Sequence, residues 1–160
     1  MSTVAGHGIV ALLPAGWEGR VYSREPDAIP RSMRLRAADT ATITRSVLHL
    51  ATFALPATVG DFGGGAVDVM RGTDLFIALF EYDTESASTP LFSATGLPRL
   101  RITDFDPSAL RKLLDGQSGV QRFFTVRGRP FCLYVVLGSH ARRVRTVPLV
   151  NDVLRGIEIA

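Results

Sequence analysis

Residues 121–138, Gln-Arg-Phe-Phe-Thr-Val-Arg-Gly-Arg-Pro-Phe-Cys-Leu-Tyr-Val-Val-Leu-Gly, limit the folds open to this chain more than any other stretch. Two runs of β-branched and aromatic residues flank a short basic turn at Arg127, Gly128 and Arg129. Gly128 supplies the positive φ that a tight turn needs, so the stretch predicts a β-hairpin. Side chains alternate along a strand. In the second arm Phe131, Leu133, Val135 and Leu137 therefore share one face, and Cys132, Tyr134 and Val136 the other. A strand that is apolar on both faces must be covered on both, which places it inside a sheet. Residues 75–82 repeat the pattern, with Leu75, Ile77 and Leu79 opposite Phe76, Ala78, Phe80 and Tyr82. They predict a second inner strand.

The remaining elements follow from punctuation. Residues 7–14 and 17–24 read as the first two strands, joined at Pro14-Ala15-Gly16,. Residues 47–55 read as a third strand closed by Pro56, and 97–104 as a fifth with Leu100 and Ile102 inward. The best-signalled helix spans 107–115. Asp106 is its N-cap, Pro107 its first position and Gly116 its stop, with Ala109, Leu110, Leu113 and Leu114 as the buried stripe,. A second helix is expected near 147–155 with Pro148 in its first turn, a short third near 66–70, and an edge strand at 157–159. The expected fold class is α+β, in a single domain spanning 1–160. It is a mostly antiparallel central sheet of about six or seven strands flanked by two or three short helices, an α/β/α sandwich. Residues 23–46, with Arg31, Arg34, Arg36 and Arg45 and no periodicity, are expected to be a mobile connection,. Their functional alternative is a basic arm that engages an acidic partner.

Composition removes several function classes. With 46% apolar and 21% charged residues over 160 positions, the chain belongs among folded globular proteins,. Its longest apolar runs fall far short of the roughly 20 residues of a membrane helix. Residues 1–8 lack the basic and apolar regions of a secretory signal, so a cytoplasmic location and no membrane span are expected. Cys132 is the single cysteine, which excludes an intramolecular disulfide and an all-cysteine metal site,. Inside an apolar strand it reads as a buried, inert thiol. Net charge is +3, with Lys112 the one lysine and no dense basic stripe, so nucleic acid is not an expected partner,.

The stretch most suggestive of chemistry is 59–70, Val-Gly-Asp-Phe-Gly-Gly-Gly-Ala-Val-Asp-Val-Met. Asp61 can cap a short helix, and Gly63, Gly64 and Gly65 let backbone approach a ligand, as in an anion cradle at a helix N-terminus. There is no Lys-Ser/Thr pair for a P-loop and no G-x-G-x-x-G spacing. Asp61-Phe62-Gly63 has no H-R-D loop to accompany it. His7, His49 and His140 share no short motif, and His49, inside a strand, reads as a satisfied core or rim histidine. No nucleophile elbow and no metal-ligand spacing is present. Glu81, closing an apolar strand, should be partly buried against an arginine such as Arg122. These residues predict no enzyme and no cofactor or metal.

The opening Gly8-Ile9…Leu13-Pro14-Ala15-Gly16-Trp17 is similar to the G-F-x-x-x-x-P-x-G-W-like hairpin that begins PsbP-like domains. The end of the chain also resembles them: a hairpin around Gly128-Arg129, then 131–136, a helix ending in Val153-Leu154 and a short closing strand. The resemblance covers the two ends. It implies an α/β/α sandwich around an antiparallel sheet and a non-enzymatic role in binding or stabilising other proteins, and it transfers no functional residue. The expected function is thus a protein-interaction or accessory module whose partner is another protein or a second copy of the chain. Short helices would leave an apolar patch on the sheet, with the arginines of 31–36 and 127–129 near its rim. The alternative is a small-molecule or anion binder using the turn at 60–66. The candidate binding residues are Asp61, Gly63, Gly64, Gly65, Arg34, Arg36, Arg127 and Arg129.

Overall fold

The computed structural model describes residues 1–24, 45–109 and 114–160. They form eight strands, namely β1 (Ser2–Gly6), β2 (Ile9–Leu13), β3 (Glu18–Arg24), β4 (Arg45–Ala51), β5 (Leu75–Glu81), β6 (Ser118–Val126), β7 (Arg129–Leu137) and β8 (Ile157–Ile159). One α-helix is present among the described residues, α1 (Arg143–Arg155), entered through a 3-10 turn at His140–Arg142. The strands make two antiparallel sheets, one ordered β1-β2-β8 and the other β3-β4-β5-β7-β6.

Two-sided apolarity puts β5 and β7 at the inside of the larger sheet. They pair with each other, Leu79 opposite Leu133 and Phe80 opposite Cys132. Every β5 residue from Leu75 to Phe80 is buried. The β6–β7 hairpin closes through Arg127 and Gly128 at φ 51° and 77°, and the β1–β2 hairpin through His7 and Gly8 at φ 50° and 76°. Positive φ at both central positions matches the twist of the flanking strands.

The larger sheet is covered differently on its two faces. On one, Leu48, Leu50, Ile77, Leu79, Leu133 and Val135 pack against β2, β8 and the apolar side of α1 (Val147, Val150, Val153, Leu154). On the other, Phe76, Ala78 and Val136 are covered by Ala66 and Val67, with Phe53, Leu55, Val59 and Met70 alongside. That cover is a loop with a 3-10 turn at Val67–Val69, not a helix. The α/β/α sandwich is therefore overturned. The described residues are mostly β, with a second sheet plus one helix on one face of the larger sheet and loops on the other. Periodicity demanded two covered faces, but burial does not require that the cover be helical.

Several local expectations change with it. β2 and β3 are not a hairpin: Pro14-Ala15-Gly16 carries the chain from the small sheet to the large one, and β2 pairs instead with β1 and β8. Residues 97–104 are not a strand. Leu100 donates its N–H to Asn151 Oδ1 (2.9 Å) and accepts from Asn151 Nδ2 at its carbonyl (2.8 Å), so a side-chain amide takes the place of a ladder. Ile102–Asp104 is a 3-10 turn. Of the helix expected at 107–115, positions 110–113 lie outside the described residues. Its flanks are not helical: Asp106 Oδ1 accepts from the Ser108 N–H and hydroxyl in a turn, Ala109 is exposed, and Leu114 is 47% exposed. Helix α1 begins at Arg143, so Pro148 sits in its interior, not its first turn. Most of the connection at 23–46, with Arg31, Arg34 and Arg36, lies outside the described residues; Arg45 opens β4 and bonds both Asp83 oxygens at 2.9 and 2.8 Å. No helix among the described residues is long and apolar enough to cross a membrane.

Candidate functional site

The glycine-rich stretch is built as a lid on the outer face of the larger sheet. Strands β3 and β4 bring Tyr22, Arg24 and His49 beneath it. Asp61 accepts the Tyr22 hydroxyl proton at Oδ1 (2.8 Å) and pairs with Arg24 through Oδ2 (2.7 Å). Its backbone carbonyl lies 2.8 Å from His49 Nε2. That bond puts the proton on Nε2 and leaves Nδ1 as an acceptor with no protein partner among the described residues. The His49 ring stands edge-on to Tyr22 and tilted against Phe76, each at 5.4 Å. Burial pushes the His49 pKa below its ordinary value, with the Asp61 carbonyl opposing,. Burial, and then the Asp61 carboxylate, push the Tyr22 phenol well above its ordinary value. Tyr22 thus serves as a donor to Asp61, and His49 as a neutral strut under the lid.

Among the glycines of the lid, Gly63 serves packing. Gly63 lies at φ 92°, and a Cβ there would come within 2.5 Å of Phe76 Cε1. The N–H groups of Gly60, Gly63, Ala66 and Val67 donate to carbonyls within the loop itself, those of Gly64, Gly60, Gly63 and Gly63 respectively. Asp61 caps no helix, and the residue preceding the 3-10 turn is Ala66. Phe62 stacks on Phe80 at 5.2 Å and meets Tyr134 edge-on at 5.8 Å, so the lid is also anchored on its apolar side.

Arg129 is a structural hub. Its Nε and Nη2 grip Glu81 at 2.8 Å each. Nη1 donates to the Ala160 carbonyl and Nη2 to that of His7, each at 3.0 Å, and the guanidinium lies 5.3 Å over Phe131. A Cβ on Gly8 would come 2.8 Å from Arg129 Nη1, so glycine there makes room for the fork. Glu81 is partly buried as expected, at 14% side-chain exposure, but its partner is Arg129; Arg122 pairs with Asp104 at 3.0 Å. Arg127 lines a shallow groove with the β1–β2 turn and β8. Cys132 is fully buried, accepts from Gln121 Nε2 at 3.3 Å, and its thiol is pushed up to about 11 by burial.

The arrangement best suited to a partner lies elsewhere, between α1 and segment 97–102, which stays out of any helix or sheet until the 3-10 turn begins at Ile102. Two adjoining depressions share Arg99, Asn151 and Arg155 as walls. The smaller, about 140 Å³, is walled by Leu97, Pro98 and Leu154; the larger, about 620 Å³, opens along Leu100, Ile102, Val147 and Pro148. Arg99, Arg101 and Arg155 stand exposed around this groove, and Arg155 pairs with Asp152 one helical turn earlier. Among the described residues neither Arg99 nor Arg101 has a carboxylate within salt-bridge distance.

Sequence reasoning named none of these residues as a site. The alternation Arg99-Leu100-Arg101 buries Leu100 and exposes both arginines, as the strand expected at 97–104 would, but the segment joins no sheet. Asn151, between Val150 and the buried Val153-Leu154, was the one available signal: a half-buried amide needs partners, and here they are the Leu100 backbone groups,. The remaining candidates do not converge. Asp61 and Gly63–Gly65 lie in the lid, Arg127 and Arg129 at the β6–β7 hairpin, and Arg34 and Arg36 outside the described residues. No family model, no curated protein and no solved structure matches this chain.

Proposed function

We propose that this chain is a non-enzymatic protein-interaction or accessory module, and that it meets its partner at the groove between α1 and segment 97–102. The observation that carries this reading is the combination of a small apolar pocket, walled by Leu97, Pro98 and Leu154, with three exposed arginines around it and the adjoining polar depression. Apolar contact desolvated within a charged rim is the usual anatomy of a recognition surface. The glycine lid supports the alternative of an anion cradle less well, because the Gly63 amide closes on its own loop and the Asp61 carboxylate stands in the same turn.

Selection of short random peptides displayed on phage against the immobilised protein tests the reading. A peptide consensus should emerge, and the double charge reversal Arg99→Glu, Arg155→Glu should no longer retain it. Failure to enrich any consensus, or its retention by the reversed protein, would overturn the assignment. Light scattering over a wide concentration range separates a second copy of the chain from a different partner.

A further inference from the structure

We infer that the occupant of the groove is an extended acidic segment of a partner protein carrying one aliphatic or aromatic anchor residue; this rests on the reading of the groove as the interaction surface. The chemistry of the groove selects the occupant at three points. First, Arg99 and Arg101 flank the buried Leu100, so they project from the same side of an extended backbone, whose Arg101 φ and ψ are −102° and 155°. Side chains two apart on such a backbone repeat about every 7 Å. Carboxylates at alternate positions of a second extended chain have the same spacing, so the two rows can pair in register.

Second, the backbone of this segment is already fixed. Asn151 both donates to and accepts from Leu100, and Asp104 Oδ2 accepts from the Arg101 N–H at 2.7 Å. A segment held in its bound shape by α1 loses little conformational freedom when a peptide docks. Third, the pocket walled by Leu97, Pro98 and Leu154, at about 140 Å³, is close in size to cavities that admit a single benzene ring,. That volume suits one side chain. Among the described residues lining the groove, Asp152 is the countervailing charge, and its carboxylate competes with the ligand for Arg155, while Asp104 beside Arg101 is paired with Arg122.

The test is fluorescence anisotropy with a labelled heptapeptide, Glu-Asp-Glu-Leu-Glu-Asp-Glu, against the intact protein. It is run beside a Leu→Ser version and a version with every carboxylate replaced by its amide. The acidic leucine peptide should bind, and more weakly as salt rises. Both altered peptides should lose affinity. Arg99→Ala with Arg101→Ala should weaken binding roughly tenfold, as expected for two exposed pairs. Asp152→Asn should tighten it. Arg127→Asn, at the β6–β7 turn, outside the groove lining and compatible with its positive φ, should leave it unchanged. Equal binding to the Arg99, Arg101 variant overturns the inference. So does a preference for the amide peptide, while loss of that neutral binding on Arg99→Glu would leave the groove standing as the interaction surface. If neither charged nor neutral peptides bind, and no displayed consensus emerges, both the occupant and the surface fall.

Discussion

Arg129 ties together parts of the chain far apart in sequence: β7 through its own backbone, β5 through Glu81, and the β1–β2 turn through the His7 carbonyl. Its side chain is 21% exposed and that of Glu81 14%, so the pair is shielded enough that losing one partner leaves a poorly solvated charge. Arg129→Met should cost about 2–3 kcal/mol in urea unfolding. Arg129→Lys should recover only part, since an ammonium cannot grip both Glu81 oxygens. Adding Glu81→Gln to Arg129→Met should restore some of the loss, and an unchanged unfolding midpoint in Arg129→Met would contradict the hub. His49 makes the second residue-scale prediction. Its folded pKa lies below the unfolded value of about 6.5,. The unfolded chain therefore binds the proton first as pH falls, and the stability that neutral His49 contributes is full above about 6.5 and lost below it. One proton limits the slope to about 1.4 kcal/mol per pH unit. Tyr22, Arg20 and Asp61 surround the ring, and none offers Nδ1 an acceptor in place of its lost lone pair. His49→Gln should flatten the unfolding free energy between pH 5 and 7; the same slope in that variant would assign the effect to other groups.

At the scale of elements, the sequence was legible where one physical demand had one solution. Apolarity on both faces of 75–82 and 131–137 could be met only inside a sheet, and β5 and β7 lie there. Gly128 marked its hairpin, whereas the equivalent turn at His7-Gly8 was passed over because β1 is short and largely exposed. Where two solutions existed, the local pattern could not choose. Arg99-Leu100-Arg101 alternates as a strand does, yet its hydrogen bonds go to a helix side chain. Pro148 marks a first turn in most helices, but here α1 starts five residues earlier, and the Val144 carbonyl loses its helical N–H donor on an exposed face,. The candidate site was the least legible part, because its arginines come from segments brought together only by the fold. Backbone crowding gives a sharper element-scale prediction. A Cβ on Gly138, at the end of β7, would sit 1.9 Å from the Arg71 carbonyl oxygen, while one on Gly64 meets nothing within 4 Å. Gly138→Ala should destabilise by about 2–3 kcal/mol, and Gly64→Ala should be near neutral. Parity of the two in thermal unfolding would argue against the packing of the 71–74 turn on β7.

For the molecule as a whole, the unequal cover of the larger sheet organises both stability and recognition. One face is closed by a second sheet and α1, the other by a loop pinned through Asp61 and Phe62. One flank of α1 then forms, with segment 97–102, a groove with arginines on its rim. The central claim is that partners engage this groove and not the glycine lid or the β6–β7 hairpin. Amide and side-chain chemical shifts of the ¹⁵N-labelled protein, followed during titration with the acidic leucine peptide, test it most directly. The account predicts the largest changes at the Leu100 amide, the Asn151 side-chain amide and the α1 residues from Val147 to Arg155. Changes centred on Gly63–Gly65 or on Arg127 and Gly128, with Leu100 and Asn151 unmoved, would contradict it.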